Sequence, residues 1–161
     1  MSKIIGITGA KDVGKTYYAS QIIKLLVEKG YNVGSIKHAH HDFDIDQPGT
    51  DSFKHREAGS SQVIISSSKR WAKINENNNE NEKSLNELIQ ELHNVDIVVV
   101  EGFKKDNHPK IEILSKDLKN RNKETNNVIA IVSSDLKDNI IPVFKENDIE
   151  NLVEFIIKKI L

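Results

Sequence analysis

Eight consecutive residues, Gly9-Ala10-Lys11-Asp12-Val13-Gly14-Lys15-Thr16, spell the pattern GxxxxGK[ST]. Phosphate oxygens must be met by several backbone N–H groups at once, so the chain carrying those groups has to curl tightly. Gly9 and Gly14 permit that path and the close approach of the anion. Lys11, Asp12 and Val13 supply the backbone between them, and Tyr17 follows in the first turn of the next helix. That helix aims its positive end at the phosphates. Lys15 can reach the β- and γ-phosphates and is a candidate catalytic group, while the Thr16 hydroxyl can bind Mg²⁺. A chance glycine turn before a helix is the bland alternative. It leaves unexplained why the motif lies between a buried-type strand and an amphipathic helix.

Three further groups could serve such a loop. Glu101 ends the run Ile97-Val98-Val99-Val100, and a carboxylate at the carboxyl end of a buried strand is where nucleotide-binding α/β proteins hold Mg²⁺ or its water. Glu101 is therefore a candidate catalytic and metal-binding residue, against the alternative of a strand-end acid facing solvent. His38 to Asp46 packs three histidines and three aspartates into nine residues. Asp44 or Asp46 could reach Mg²⁺, the cluster could take Zn²⁺ or Ni²⁺, or the loop could simply be solvated. Asp135 follows an apolar strand in Ser133-Ser134-Asp135. Its carboxylate could accept both N1–H and N2–H of guanine, which adenine does not offer, or it could be an ordinary turn aspartate.

The elements that must position these residues are legible in the apolar periodicity. Lys3 to Thr8 reads as a strand, and from Lys15 onward Tyr18, Ile22, Leu25 and Leu26 share one helical face. Asn32 to Lys37 reads as a strand, Thr50 to Ala58 as a short helix, and Gln62 to Ser66 and Trp71 to Ile74 as strands. Ser84 with Glu87 forms a capping-box signature that opens a helix. Val95 to Val100 and Val128 to Val132 read as strands buried on both faces. Lys110 to Leu114 is expected near a sheet edge, because Pro109 precedes it. Asp117 to Asn127 reads as a charged loop, and Asp148 to Leu161 as a closing amphipathic helix. Strands alternating with helices predict an α/β fold with a mostly parallel sheet flanked by helices on both faces.

The 161 residues suit a single nucleotide-binding domain over 1–161, with an exposed Asn/Glu-rich loop at about 75–83. A formal net charge of -1 offers no bulk basic field for nucleic acid or an anionic membrane. The absence of cysteine excludes disulfides and thiolate metal sites. No apolar run approaches the roughly 20 residues that span a bilayer, and the amino terminus lacks a charged–apolar–small signal pattern. A cytoplasmic location is the expectation.

Several segments together resemble the MobB family, the molybdopterin-guanine dinucleotide biosynthesis protein B. They are the loop Gly9 to Thr16, Val33 to His38, His41 to Gly49, Asp51-Ser52, His55-Arg56, Ala58-Gly59, Val100 to Lys104, and Pro109 to Glu112. The phosphate loop is widely shared; the HDFDxDxPG segment and the VEGFK and PKIE pair are far more specific. The resemblance implies a P-loop NTPase fold that binds GTP with Mg²⁺ and hydrolyses it weakly. It also implies a homodimer that assists the molybdenum cofactor guanylyltransferase, with molybdopterin as a further ligand. Thr50 stands where the family often has Lys, Val13 where it often has Ser, and Tyr17 where it often has Thr. Two rival functions share the loop: a metal-delivery GTPase using His38 to Asp46, and a small-molecule P-loop kinase. The kinase is disfavoured because Arg56, Arg70 and Arg121 are the only arginines, too few for a phosphate-neutralising lid.

Overall fold

The computed structural model describes residues 3–39, 43–77, 81–114, 125–136 and 140–161. The sequence reading takes the chain as one domain; its contacts fall into two compact units, 1–38 with 85–161, and 39–84.

The first unit is built on six strands: β1 (Lys3–Gly9), β2 (Val33–Lys37), β5 (Ile97–Glu101), β6 (Lys110–Ile113), β7 (Val128–Val132) and β8 (Val143–Phe144). They form one sheet in the order β2-β5-β1-β6-β7-β8. Every pairing in it is parallel. Among the described residues the remaining elements of this unit are the helices α1 (Lys15–Glu28), α3 (Leu85–Gln90) and α4 (Ile149–Ile160). Successive side chains of a strand point to opposite faces, and β5 shows the consequence. Ile97 and Val99 pack with Tyr18, Ile22 and Leu26 of α1 and with Leu152, Val153 and Ile156 of α4. Val98 and Val100 pack with Leu85 and Ile89 of α3. Helices therefore cover both faces, as the uninterrupted apolar strands require.

Two expectations are corrected. β6 is not at an edge: it lies between β1 and β7. Pro109 does not interrupt the ladder, because it stands one residue ahead of the strand. Its carbonyl accepts from Gly6 N at 2.8 Å, and the first N–H needed on the other side comes from Lys110, donated to Asn127 O at 2.9 Å. The edge is made instead by β8, only two residues long and too short to show a period. Beside it β7 is buried only from Ala130 onward, with Val128 and Ile129 half-exposed.

The second unit holds α2 (Asp51–Glu57) and an antiparallel hairpin of β3 (Gln62–Ser66) and β4 (Trp71–Asn75). Arg56 ties this unit together, pairing with Asp44 at 2.9 Å, Asp46 at 3.5 Å and Glu76 at 2.7 Å. The Asn/Glu-rich stretch expected as an exposed loop at 75–83 thus begins with structure, Asn75 in β4 and Glu76 on Arg56. Residues 78–80 of that stretch, and 117–124 of the charged loop before β7, lie outside the described residues.

Candidate functional site

β1, β5 and β2 run parallel and adjacent, so their carboxyl ends open on the same end of the sheet, and the loop from Gly9 to Gly14 leaves β1 there. Three residues of that loop have left-handed backbone: Gly9 at φ 149°, Asp12 at φ 61° and Gly14 at φ 85°. A Cβ on Gly9 would stand 2.5 Å from Ile113 O, so only glycine lets the loop turn against β6. Gly14 is the N-cap of α1 and offers no side-chain cap. The first N–H groups of a 14-residue helix are thereby left for an anion. Val13 packs against the core below; a methyl pair here anchors the loop where a serine would present a hydroxyl. Lys11, Asp12 and Tyr17 stand on the exposed side, Tyr17 with its ring edge-on to Tyr18 at 5.4 Å.

The structure brings together three of the residues singled out from sequence. Thr16 Oγ1 donates to Glu101, 3.0 Å from Oε1 and 3.1 Å from Oε2. Lys15 lies folded back with its ammonium on Ala10 O. Burial lowers the Lys15 pKa; Lys104 and, more weakly, Lys37 push it the same way, while Glu101 and Asp12 oppose them. Three lysines thus converge on one loop, and an anion between them would relieve their mutual repulsion.

Lys37 was missed as a site residue. It ends β2 as the register partner of Glu101, and its ammonium lies 3.4 Å from Glu101 Oε1. The sequence shows a lysine and a glutamate each ending a strand, but their adjacency depends on the strand order, which puts β5 beside β2. Lys104 follows from the turn after β5. There Gly102, at φ 107°, passes so near β2's end that a Cβ on it would meet His38 Cβ at 2.5 Å. His38 N donates to Glu101 O at 2.8 Å, and the His38 ring stacks on Phe103 at 4.6 Å.

Asp135 stands exposed after β7, at the same end of the sheet as the phosphate loop. Its turn is fixed by Ser133 Oγ, which accepts from Asp135 N at 3.4 Å and Leu136 N at 3.2 Å. The remaining candidates belong to the second unit. Asp46 accepts there from Ser52 Oγ at 2.9 Å, Thr50 Oγ1 at 3.1 Å and Gln47 N at 3.1 Å, besides Arg56. The Asp46 N–H and then Arg56 hold the Asp44 carboxyl below the usual range. Thr50 caps α2, accepting from Phe53 N at 3.3 Å. Among the described residues no three His, Asp or Glu side chains form a metal-holding group; His40, His41 and Asp42 lie outside them. Among the described residues no helix is long and apolar enough to cross a membrane.

The family model described as Molybdopterin guanine dinucleotide synthesis protein B (MobB) matches residues 4–134. The molybdopterin-guanine dinucleotide biosynthesis adapter protein of Escherichia coli K12 is 34% identical over 164 residues, 98% of this chain and 93% of its own. That of Haemophilus influenzae is 41% identical over 110 residues, 67% of this chain and 61% of its own. Among solved structures, the crystal structure of Bacillus subtilis MobB superposes with a TM-score of 0.78 at 24% identity, covering 99% of this chain and 98% of that one. At that identity the superposition speaks for the fold alone.

Proposed function

The chain belongs to the MobB family, and from that premise we propose that it is a GTP-binding adapter of molybdopterin guanine dinucleotide biosynthesis, acting beside the guanylyltransferase that uses the nucleotide. The observation that carries the nucleotide reading is the pairing of an uncapped α1 behind Gly14 with Thr16 hydrogen-bonded to Glu101. Backbone N–H groups of residues 11–16 receive the phosphates, and Lys15 exchanges Ala10 O for a phosphate oxygen. Asp135 accepts from guanine N1–H and N2–H.

Mg²⁺ fits this donor set, since a hydroxyl and a carboxylate are the hard oxygen ligands it prefers. Thr16 and Glu101 would hold it, and bound there it would neutralise charge on the β- and γ-phosphates. Asp46 is not used, because its carboxylate is already occupied within the second unit. Hydrolysis is slow in this reading: the Glu101 carboxylate is committed to Thr16 and Lys37 and is a poor base for an attacking water.

The chain is cytoplasmic in this reading and works as a homodimer. The hairpin supports the second point. Ile64 and Trp71 share one face of β3 and β4, as diagonal neighbours across the strands, and are 66% and 67% exposed. A second copy could cover that apolar face.

The test is a reconstitution of guanylyltransferase, molybdopterin and Mg²⁺-GTP with and without this chain. Formation of the guanine dinucleotide should rise when the chain is added at limiting GTP, and the gain should disappear with Lys15→Ala. Identical yields with and without the chain, at limiting GTP and at limiting molybdopterin, would remove the adapter role.

A further inference from the structure

Lys37, Glu101 and Thr16 close a triangle. The Lys37 ammonium donates to Thr16 Oγ1 at 3.3 Å and lies 3.4 Å from Glu101 Oε1, while Thr16 donates to both carboxylate oxygens. A hydroxyl has one hydrogen and two lone pairs. The Thr16 hydrogen is committed to Glu101, and the oxygen lone pairs face the ammonium. A divalent ion at a phosphate loop uses those same lone pairs and binds its oxygens at about 2 Å. An ammonium seated on the same two oxygen groups must move aside before the ion can bind there, because their like charges repel. Lys37 is placed there by the backbone, since β2 and β5 pair parallel and in register with Lys37 opposite Glu101. Its side chain is 60% exposed against 14% for Glu101, so the stem is free to swing while the carboxylate stays.

Resting on the phosphate-loop reading, we propose that Lys37 is a tethered cation that occupies the Thr16–Glu101 pair, competes with Mg²⁺ for it, and supplies positive charge to the GTP phosphates when no metal is bound. The chain consequently takes up GTP with little dependence on Mg²⁺. A buried structural lysine would be enclosed and would satisfy carbonyls; Lys37 does neither. The crowding of Lys15 by Lys104 and Lys37 fits a site tuned for a polyanion with more fixed cations than the loop alone supplies.

The test is GTP titration of wild type, Lys37→Met and Lys37→Arg, each with Mg²⁺ and with EDTA. Removing Mg²⁺ should weaken wild type by less than about tenfold, and weaken Lys37→Met by roughly tenfold more than that, the weight of one charge-assisted contact. Lys37→Met should reach its half-maximal Mg²⁺ effect at lower Mg²⁺ than wild type. Lys37→Arg, which keeps the charge, should recover most of the metal-free affinity. If the ratio of affinities with and without Mg²⁺ is equal in wild type and Lys37→Met, the proposal is overturned while the phosphate loop stands. If wild type binds GTP in neither condition, the phosphate-loop reading falls and this proposal with it.

Discussion

Thr16 and Glu101, 85 positions apart in sequence, meet with the threonine hydroxyl 3.0 Å from Oε1 and 3.1 Å from Oε2. The contact follows from the sheet: β1 and β5 are adjacent and parallel, with Ile7 opposite Glu101. The loop leaving β1 then returns the first turn of α1 to the end of β5.

Glu101→Gln keeps the shape of this contact and removes its charge. The modest enhancement of GTP binding by Mg²⁺, less than about tenfold in wild type, should disappear, since one charge-assisted interaction is of that size. Titrating Mg²⁺ at fixed GTP measures it; a variant with the wild-type metal dependence would place Glu101 outside the metal shell.

Asp135→Asn presents an amide donor to guanine N1–H or N2–H where the carboxylate accepted. Preference for GTP over ATP should fall by roughly one to two orders of magnitude, with ATP affinity little changed. Competition binding with both nucleotides decides it. An equal loss for both, or no loss for either, would exclude base reading by this residue.

Lys110 is fully buried in the interior strand β6, and its ammonium is held by the carbonyls of Asp106, His108 and Asn126. Burial lowers its pKa, and Asp106 opposes that shift. Lys110→Met would leave three carbonyls without their donor. Stability should drop by about 2–4 kcal/mol, read from urea denaturation. A change within about 0.5 kcal/mol would mean that water replaces the ammonium freely.

The neighbouring His108 is pushed down to about 4 by burial and then by Lys110. The unfolded chain therefore takes up a proton near pH 6.5 that the folded chain refuses until about pH 4. This contribution to stability is complete above pH 6.5, shrinks as pH falls toward 4, and is gone below. Between those limits His108 should add a slope of about 1 kcal/mol per pH unit. His108→Gln should remove that slope from a pH series of denaturation curves; parallel curves would show that His108 titrates normally.

Local chemistry was legible in the sequence where short segments carry it. Gly9 to Thr16 announces itself, and Glu101 follows from the apolar run that precedes it. What escaped depends on partners distant in sequence. Lys37 gains its place only because β5 inserts between β1 and β2, which no single segment reveals. The interior position of β6 was hidden because Pro109 suggests an edge until its offset from the ladder is known. Glu76 looked like one more polar residue of a solvated stretch. Its pairing with Arg56 is set by the hairpin, whose register places Asn75 opposite Gln62. The histidine-rich segment suggested a metal by composition, yet Asp44 and Asp46 are turned to Arg56.

The central claim is that the loop from Gly9 to Thr16 binds the phosphates of GTP, and calorimetric titration of wild type and Lys15→Ala with Mg²⁺-GTP tests it most directly. Among the described residues the Lys15 ammonium donates to Ala10 O, a loop contact outside the core, so its removal should leave the melting temperature within about 2 °C. The account predicts one site per chain in wild type and a loss of roughly ten- to a hundredfold in affinity for Lys15→Ala, since a charge-assisted phosphate contact is worth about 1.5–3 kcal/mol. Equal GTP affinity in the two proteins, at equal stability, would contradict it.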